Sequence, residues 1–199
     1  MLAASLWLLL RLEPAAAATR VHALIIGNNA PFHAVGEAAP APLHYADDDA
    51  AAFAELLGEL ATSTELLTVM DRDTQELYPG LAARARAPTR DAVRSAVTRL
   101  AQRLREQHDA GHRTVLFFYF SGHGSVDFEG HPALALSDGG LDQAFLYEGI
   151  LAQLPADEVH VLIDACHAEA IVRPRDVEAE AVQVSPAQAS AFLVDQTLA

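Results

Sequence analysis

The chain carries one thiol, Cys166, and all 13 of its basic residues are Arg, with no Lys anywhere. The lack of Lys removes Schiff-base chemistry, the phosphate-loop lysine and the kinase lysine together. A lone cysteine also excludes an internal disulfide framework and a cluster of thiolate ligands. Cys166 is therefore either inert core or a reagent. A free thiol has a pKa of about 8.5 and is only a few per cent thiolate at pH 7, but a neighbouring imidazole raises that fraction or takes the proton during attack. His123, set in Ser121-Gly122-His123-Gly124, is the candidate imidazole. The two residues stand 43 positions apart, so only the fold can bring them together. Gly124 adds a second element: without a side chain, its N–H can approach a substrate carbonyl and, with the N–H of Cys166, form an oxyanion hole.

Both residues sit where a strand should end. Val115 to Phe120 is too short and too aromatic for a helix and stops at Ser121-Gly122-His123; Val159 to Ile163 runs straight into Asp164-Ala165-Cys166. Upstream, Val21 to Ile26 reads as a strand stopping at Gly27-Asn28-Asn29, and Leu66 to Met70 as another. Asp47, Asp48 and Asp49 open a helix through Ala50, Phe53, Ala54, Leu57 and Leu60. A stretch from Asp71 to Pro88 reads as a loop, after which Thr89 can cap a helix that ends near Gly111. Phe128 to Leu136 suggests a small hairpin about Glu129-Gly130, and Tyr147 to Leu154 a helix. Strands alternating with helices imply an α/β fold, a mainly parallel sheet with helices on both faces. Ligands of such sheets bind outside the carboxyl ends of the strands, where His123 and Cys166 both fall.

The chain of 199 residues suits one domain, and 51% hydrophobic against 20% charged residues marks it as globular. A net charge of −14 argues against binding nucleic acid phosphates. The apolar run Leu2 to Leu10, followed by Ala16 and Ala18, fits an export signal cleaved after Ala18, although no basic residue precedes it and Arg11 and Glu13 interrupt its end. The expectation is a secreted or periplasmic protein, with a cytoplasmic one as the alternative. No later segment reaches the roughly 20 apolar residues that span a bilayer, so the mature chain is expected to be soluble.

The strands ending Phe118-Tyr119-Phe120-Ser121-Gly122-His123-Gly124 and Leu162-Ile163-Asp164-Ala165-Cys166-His167 resemble the two catalytic segments of caspase-like cysteine peptidases, above all metacaspases and their bacterial relatives. Ala23 to Asn28 looks like the family's first strand, and Leu43 to Ala50 like the acidic start of its first helix; the resemblance covers about residues 20 to 170. It implies that Cys166 attacks the peptide carbonyl and that His123 handles the proton of the leaving amine. It also implies an acidic specificity pocket whose members here are Asp49, Ser121 and Asp164. Carboxylates beside the nucleophile favour a guanidinium, which they can bind bidentately, and repel an Asp. Caspases proper place Arg in that pocket, and none stands at these positions. The expected substrates are polypeptides cut after Arg or Lys.

Two features depart from the family. Ala168-Glu169 follow the Cys-His pair where a small residue and Gly are usual, and only 33 residues follow Cys166, so the small-subunit-like strands look missing. The expected arrangement is a leader over 1–18, the large-subunit portion of a caspase-like domain over 19–171, and a loop with a terminal helix over 172–199. That portion is either a fragment or a truncated homologue, inactive in isolation if its sheet edge stays open. Arg175, in the acidic stretch Arg173 to Pro186, is a candidate self-processing site, whereas the bond after Arg173 faces Pro174 and should resist.

Other readings compete at each position. A lone Cys is commonly a buried structural thiol, and a His between glycines can be a turn residue. Asp164 can simply end its strand, the acidic triplet can be a helix cap, and His167, pointing away from Cys166, is read as structural. No metal or other cofactor is expected. Some metacaspases require calcium, so the family resemblance alone leaves calcium dependence open; no loop here has spaced calcium ligands. His108 and His112, four apart about a helix end, lack a third zinc ligand. The competing function is a catalytically silent caspase-like module that binds a partner protein through its strand-edge cleft.

Overall fold

The computed structural model describes residues 18–31, 40–126, 131–166 and 168–172. Four parallel strands make its main sheet: β1 (Thr19–Asn28), β2 (Ala61–Thr68), β3 (Arg113–Gly122) and β7 (Glu158–Asp164), in the order β2-β1-β3-β7. Helix α1 (Ala46–Gly58) connects β1 to β2, and α4 (Arg90–Asp109) precedes β3. Alternation along the strands divides the core between the two faces. Ala23 and Ile25 of β1 pack with Ala50, Ala54 and Leu57 of α1. Leu24 and Ile26 pack on the other face with Val97, Leu100 and Leu104 of α4, and with Phe118 and Phe120 of β3. Each such buried Leu, Ile, Val or Phe side chain contributes about 1.5–3 kcal/mol. This is the α/β architecture expected of the caspase class.

Beyond β3 the chain forms a second, antiparallel sheet of β4 (Gly124–Val126), β5 (Pro132–Leu136) and β6 (Gly139–Asp142), in that order. The expected hairpin is thus extended by a third strand, because Leu134, Leu136 and Leu141 all bury against the α4 side of the core. The other boundaries also move. The second strand begins at Ala61 and ends at Thr68, earlier than Leu66–Met70, since its polar opening residues pair with β1. The stretch read as a loop over 71–88 holds two short helices, α2 (Arg72–Leu77) and α3 (Pro79–Ala82). Asp71 caps the first by accepting the Thr74 N–H at 2.9 Å, and Pro79 occupies the first position of the second. The helix expected over 147–154 is a π-helical segment, Phe145–Ile150, running into a 3-10 turn, Leu151–Gln153. Thr89 caps α4 as expected, accepting the Ala92 N–H at 3.1 Å.

A short helix α5 (Ala168–Val172) follows the cysteine and is tied back by Tyr147, whose hydroxyl donates to the Val172 carbonyl at 2.8 Å. Among the described residues, β7 pairs with β3 alone, and Val159, Val161 and Leu162 are exposed. No described helix is long and apolar enough to cross a membrane. Several expectations lie outside the described residues: the leader up to residue 17, the turn at Glu129-Gly130, His167, the loop with Arg175, and the helix after Ala187.

Candidate active site

The register of β3 and β7 sets the site. Ser121 pairs with Asp164 at the last step of the ladder, so His123 and Cys166 each stand two residues beyond a matched pair, on neighbouring strands. The chain then closes further. A Cβ placed on Gly124 would overlap the Cys166 carbonyl oxygen and lie 3.3 Å from its nitrogen. The residue after His123 therefore rests against the main chain of the cysteine, a contact open only to glycine. Cys166 is exposed and forms no disulfide, and His123 is half-buried. The thiol is not a sealed core residue.

His123 is held by a main-chain carbonyl. Its Nε2 lies 3.1 Å from the Ala41 carbonyl oxygen. A carbonyl only accepts, so Nε2 is the donor and the neutral ring keeps Nδ1 as its acceptor. Ala41 lies between Pro40 and Pro42, and the following proline restricts it to an extended conformation. Sequence reasoning missed this contact because the contributing atom is main-chain; the Pro-X-Pro run signals rigidity but not its target. The His123 carbonyl accepts from the Ala135 N–H at 2.9 Å. With that bond in place, Gly124 and Leu134 form a non-hydrogen-bonded pair, and the Gly124 N–H points away from β5.

The three residues of the expected acidic pocket converge on the α1 face. Asp49 accepts from the Ser121 hydroxyl at 3.1 Å, and Ser121 pairs with Asp164. Gly27 makes this approach possible: a Cβ there would strike the Ala46 carbonyl oxygen and sit 2.6 Å from the Ala50 Cβ. The start of α1 thus rides directly over β1. One further residue belongs to the cluster. Burial first, and then the charges of Asp49 and Asp164, push the Tyr119 phenol above its ordinary range, against a smaller opposing effect of its hydrogen bond with Ser121. Its ring stacks on Phe53 with centroids 4.4 Å apart and planes 16° from parallel. The sequence marked Tyr119 only as part of a hydrophobic strand; its spacing of two from Ser121, which puts both on one face, was the available signal.

The other acidic residues have different work. Asp47 is fully buried and does not cap its own helix. It accepts from the Asn29 side chain at 2.6 Å, from the Asp71 N–H at 2.8 Å and from the Thr74 hydroxyl at 3.1 Å. The same hydroxyl, which has a single proton to give, lies 2.9 Å from Asp48. Capping is thus the wrong structural reading of Asp47: its carboxylate joins the end of β1, the start of α1 and the start of α2. His108 bonds Thr114 and Asp157, and His112 meets Arg20. Among the described residues no three His, Cys, Asp or Glu side chains converge as a cation site requires.

The family model of the caspase domain matches residues 20–197. No curated protein and no solved structure matches the chain. With nearly the whole length matched and the parallel sheet in place, the chain belongs to the caspase-domain family of cysteine peptidases.

Proposed function

We propose that this caspase-domain chain is a cysteine endopeptidase that cuts after Arg, and after Lys as a second choice, with Cys166 as nucleophile and His123 as its proton partner. The observation that carries the reading is the main-chain contact of Gly124 with Cys166. It brings the neighbour of the imidazole against the main chain of the cysteine at the carboxyl rim of the sheet, where such folds bind ligands. The Ala41 carbonyl keeps Nε2 protonated, so Nδ1 takes the thiol proton as Sγ bonds to the substrate carbonyl carbon. The imidazolium then returns that proton to the departing amine as the C–N bond breaks. Water, deprotonated by the same ring, hydrolyses the acyl-enzyme. The N–H of Gly124, turned away from β5, and the N–H of Cys166 stabilise the oxyanion. Asp49, Ser121 and Asp164 receive the basic side chain.

The edge of β7 that no other described strand pairs with favours a second reading, a silent module that binds an extended segment of a partner protein by adding it as a strand. A thiol-directed probe together with an Arg-ended fluorogenic peptide separates the two. Labelling with turnover, both lost in Cys166→Ala, supports the peptidase; turnover that survives in Cys166→Ala refutes the assignment. Absence of turnover in the unsubstituted chain favours the silent module.

A further inference from the structure

The acidic cluster has a floor that neither the reading above nor the family match assigns. Tyr119 and Ser121 stand two apart on β3, on the face covered by α1. Ser121 reaches Asp49 at 3.1 Å and pairs with Asp164. Tyr119 lies one step further from the rim, and the parallel stack on Phe53 fixes its ring. Phe53 stands one helical turn after Asp49 on α1, so the stacked ring lies beneath the Asp49–Ser121 contact, and the two carboxylates and the Ser121 hydroxyl all act on its phenol. A phenol oxygen there can accept a hydrogen bond from whatever enters between the carboxylates.

We propose that Tyr119 is a specificity-determining residue, the polar floor of the Asp49–Ser121–Asp164 pocket, and that its phenol oxygen makes the pocket prefer Arg over Lys. This rests on the pocket assignment above. An ammonium has three donors, which Asp49, Asp164 and Ser121 suffice to saturate. A guanidinium has five in a planar fork; with the carboxylates on its edges, it still has a donor for the floor. Phe53 supports the floor without meeting the ligand and acts as a positioning residue.

The test uses the full chain carrying Cys166→Ala, so that peptides bind without being cut, and compares two peptides that differ only in ending with Arg or Lys. The expected result is tighter binding of the Arg peptide, a preference of roughly tenfold or more, as one hydrogen bond from a charged donor supplies. Adding Tyr119→Phe removes the hydroxyl but keeps the ring stack, and the preference should fall to near unity mainly through loss of Arg affinity. A preference that survives Tyr119→Phe, or equal weakening of both peptides, overturns the proposal. So does failure of the Cys166→Ala chain to bind either peptide. If binding behaves as expected while the Cys166 chain hydrolyses nothing, the peptidase reading fails and the pocket floor stands. Unchanged thermal unfolding of Tyr119→Phe shows that the fold is retained.

Discussion

Gly124 is the position at which one methyl group should matter most. Alanine there places a carbon on the Cys166 carbonyl, so the two segments must part, and a misplacement of about 1 Å can cost on the order of 100-fold in rate. Gly124→Ala is expected to lose at least that factor in hydrolysis of an Arg-ended peptide. The accompanying destabilisation, read from urea unfolding, should be only about 1–3 kcal/mol. Activity close to that of the unsubstituted chain would remove the contact from the mechanism. Asp49 offers a second residue-level test. Its negative charge helps hold the Tyr119 phenol above the ordinary range, so Asp49→Asn should move that phenol's titration to lower pH, followed as phenolate absorbance. No movement would place Asp49 away from the phenol. At this scale His123, Gly124 and Cys166 were legible because their types and neighbours in sequence suggest chemistry. Ala41 was not, since a carbonyl has no residue identity, and Tyr119 was hidden within a run of hydrophobic residues.

Elements are joined in this molecule by buried polar side chains as much as by apolar faces. Asp47 holds three of them, and removing its carboxylate takes a partner from the half-buried Asn29 amide, the Asp71 N–H and the buried Thr74 hydroxyl. Asp47→Ala is expected to lower unfolding free energy by about 3 kcal/mol or more, whereas Thr89→Ala, which removes only the cap of α4, should cost about 1 kcal/mol. Urea unfolding of the two variants side by side checks the order; an equal or reversed pair would contradict the account of Asp47. The periodic elements were legible: Val93, Ala96, Val97, Leu100, Ala101 and Leu104 repeat at three and four and line one face of α4. The two helices within 71–88 were not. They are too short to show a period, and their signals are a single cap, Asp71, and a proline at the first position, Pro79.

The molecule as a whole is strongly acidic, yet its acid response has a cationic component inside the sheet. His22 is fully buried, with Nδ1 2.7 Å from the Ser63 hydroxyl and Nε2 without a hydrogen-bond partner among the described residues. Burial first, and then the nearby Arg103 guanidinium, lower its pKa from the ordinary value. The unfolded chain therefore binds this proton more readily than the folded one, and stability rises with pH across the interval between the two pKa values. The contribution is complete above about pH 6.5, the unfolded value, and is lost as pH falls through the folded value. The urea midpoint should be lower at pH 5 than at pH 7, and His22→Gln should show a smaller difference. Asp71 and Asp157, both lowered by hydrogen bonds from Thr74 and Thr114, add a separate loss at lower pH, below the ordinary carboxylate range. An unchanged midpoint down to pH 5 would contradict the account of His22.

By itself the sequence determined the fold class and the candidate chemistry. Alternation and helical spacing depend on neighbours within a few residues, and a thiol or imidazole has its reactivity wherever it stands. Only the tertiary structure decided the register that pairs Ser121 with Asp164, the seating of Gly124 on Cys166, the Ala41 carbonyl on His123 and the stack of Tyr119 on Phe53. Each joins segments at least 42 positions apart, and such contacts are set by how whole layers pack, which no local pattern of residue types records.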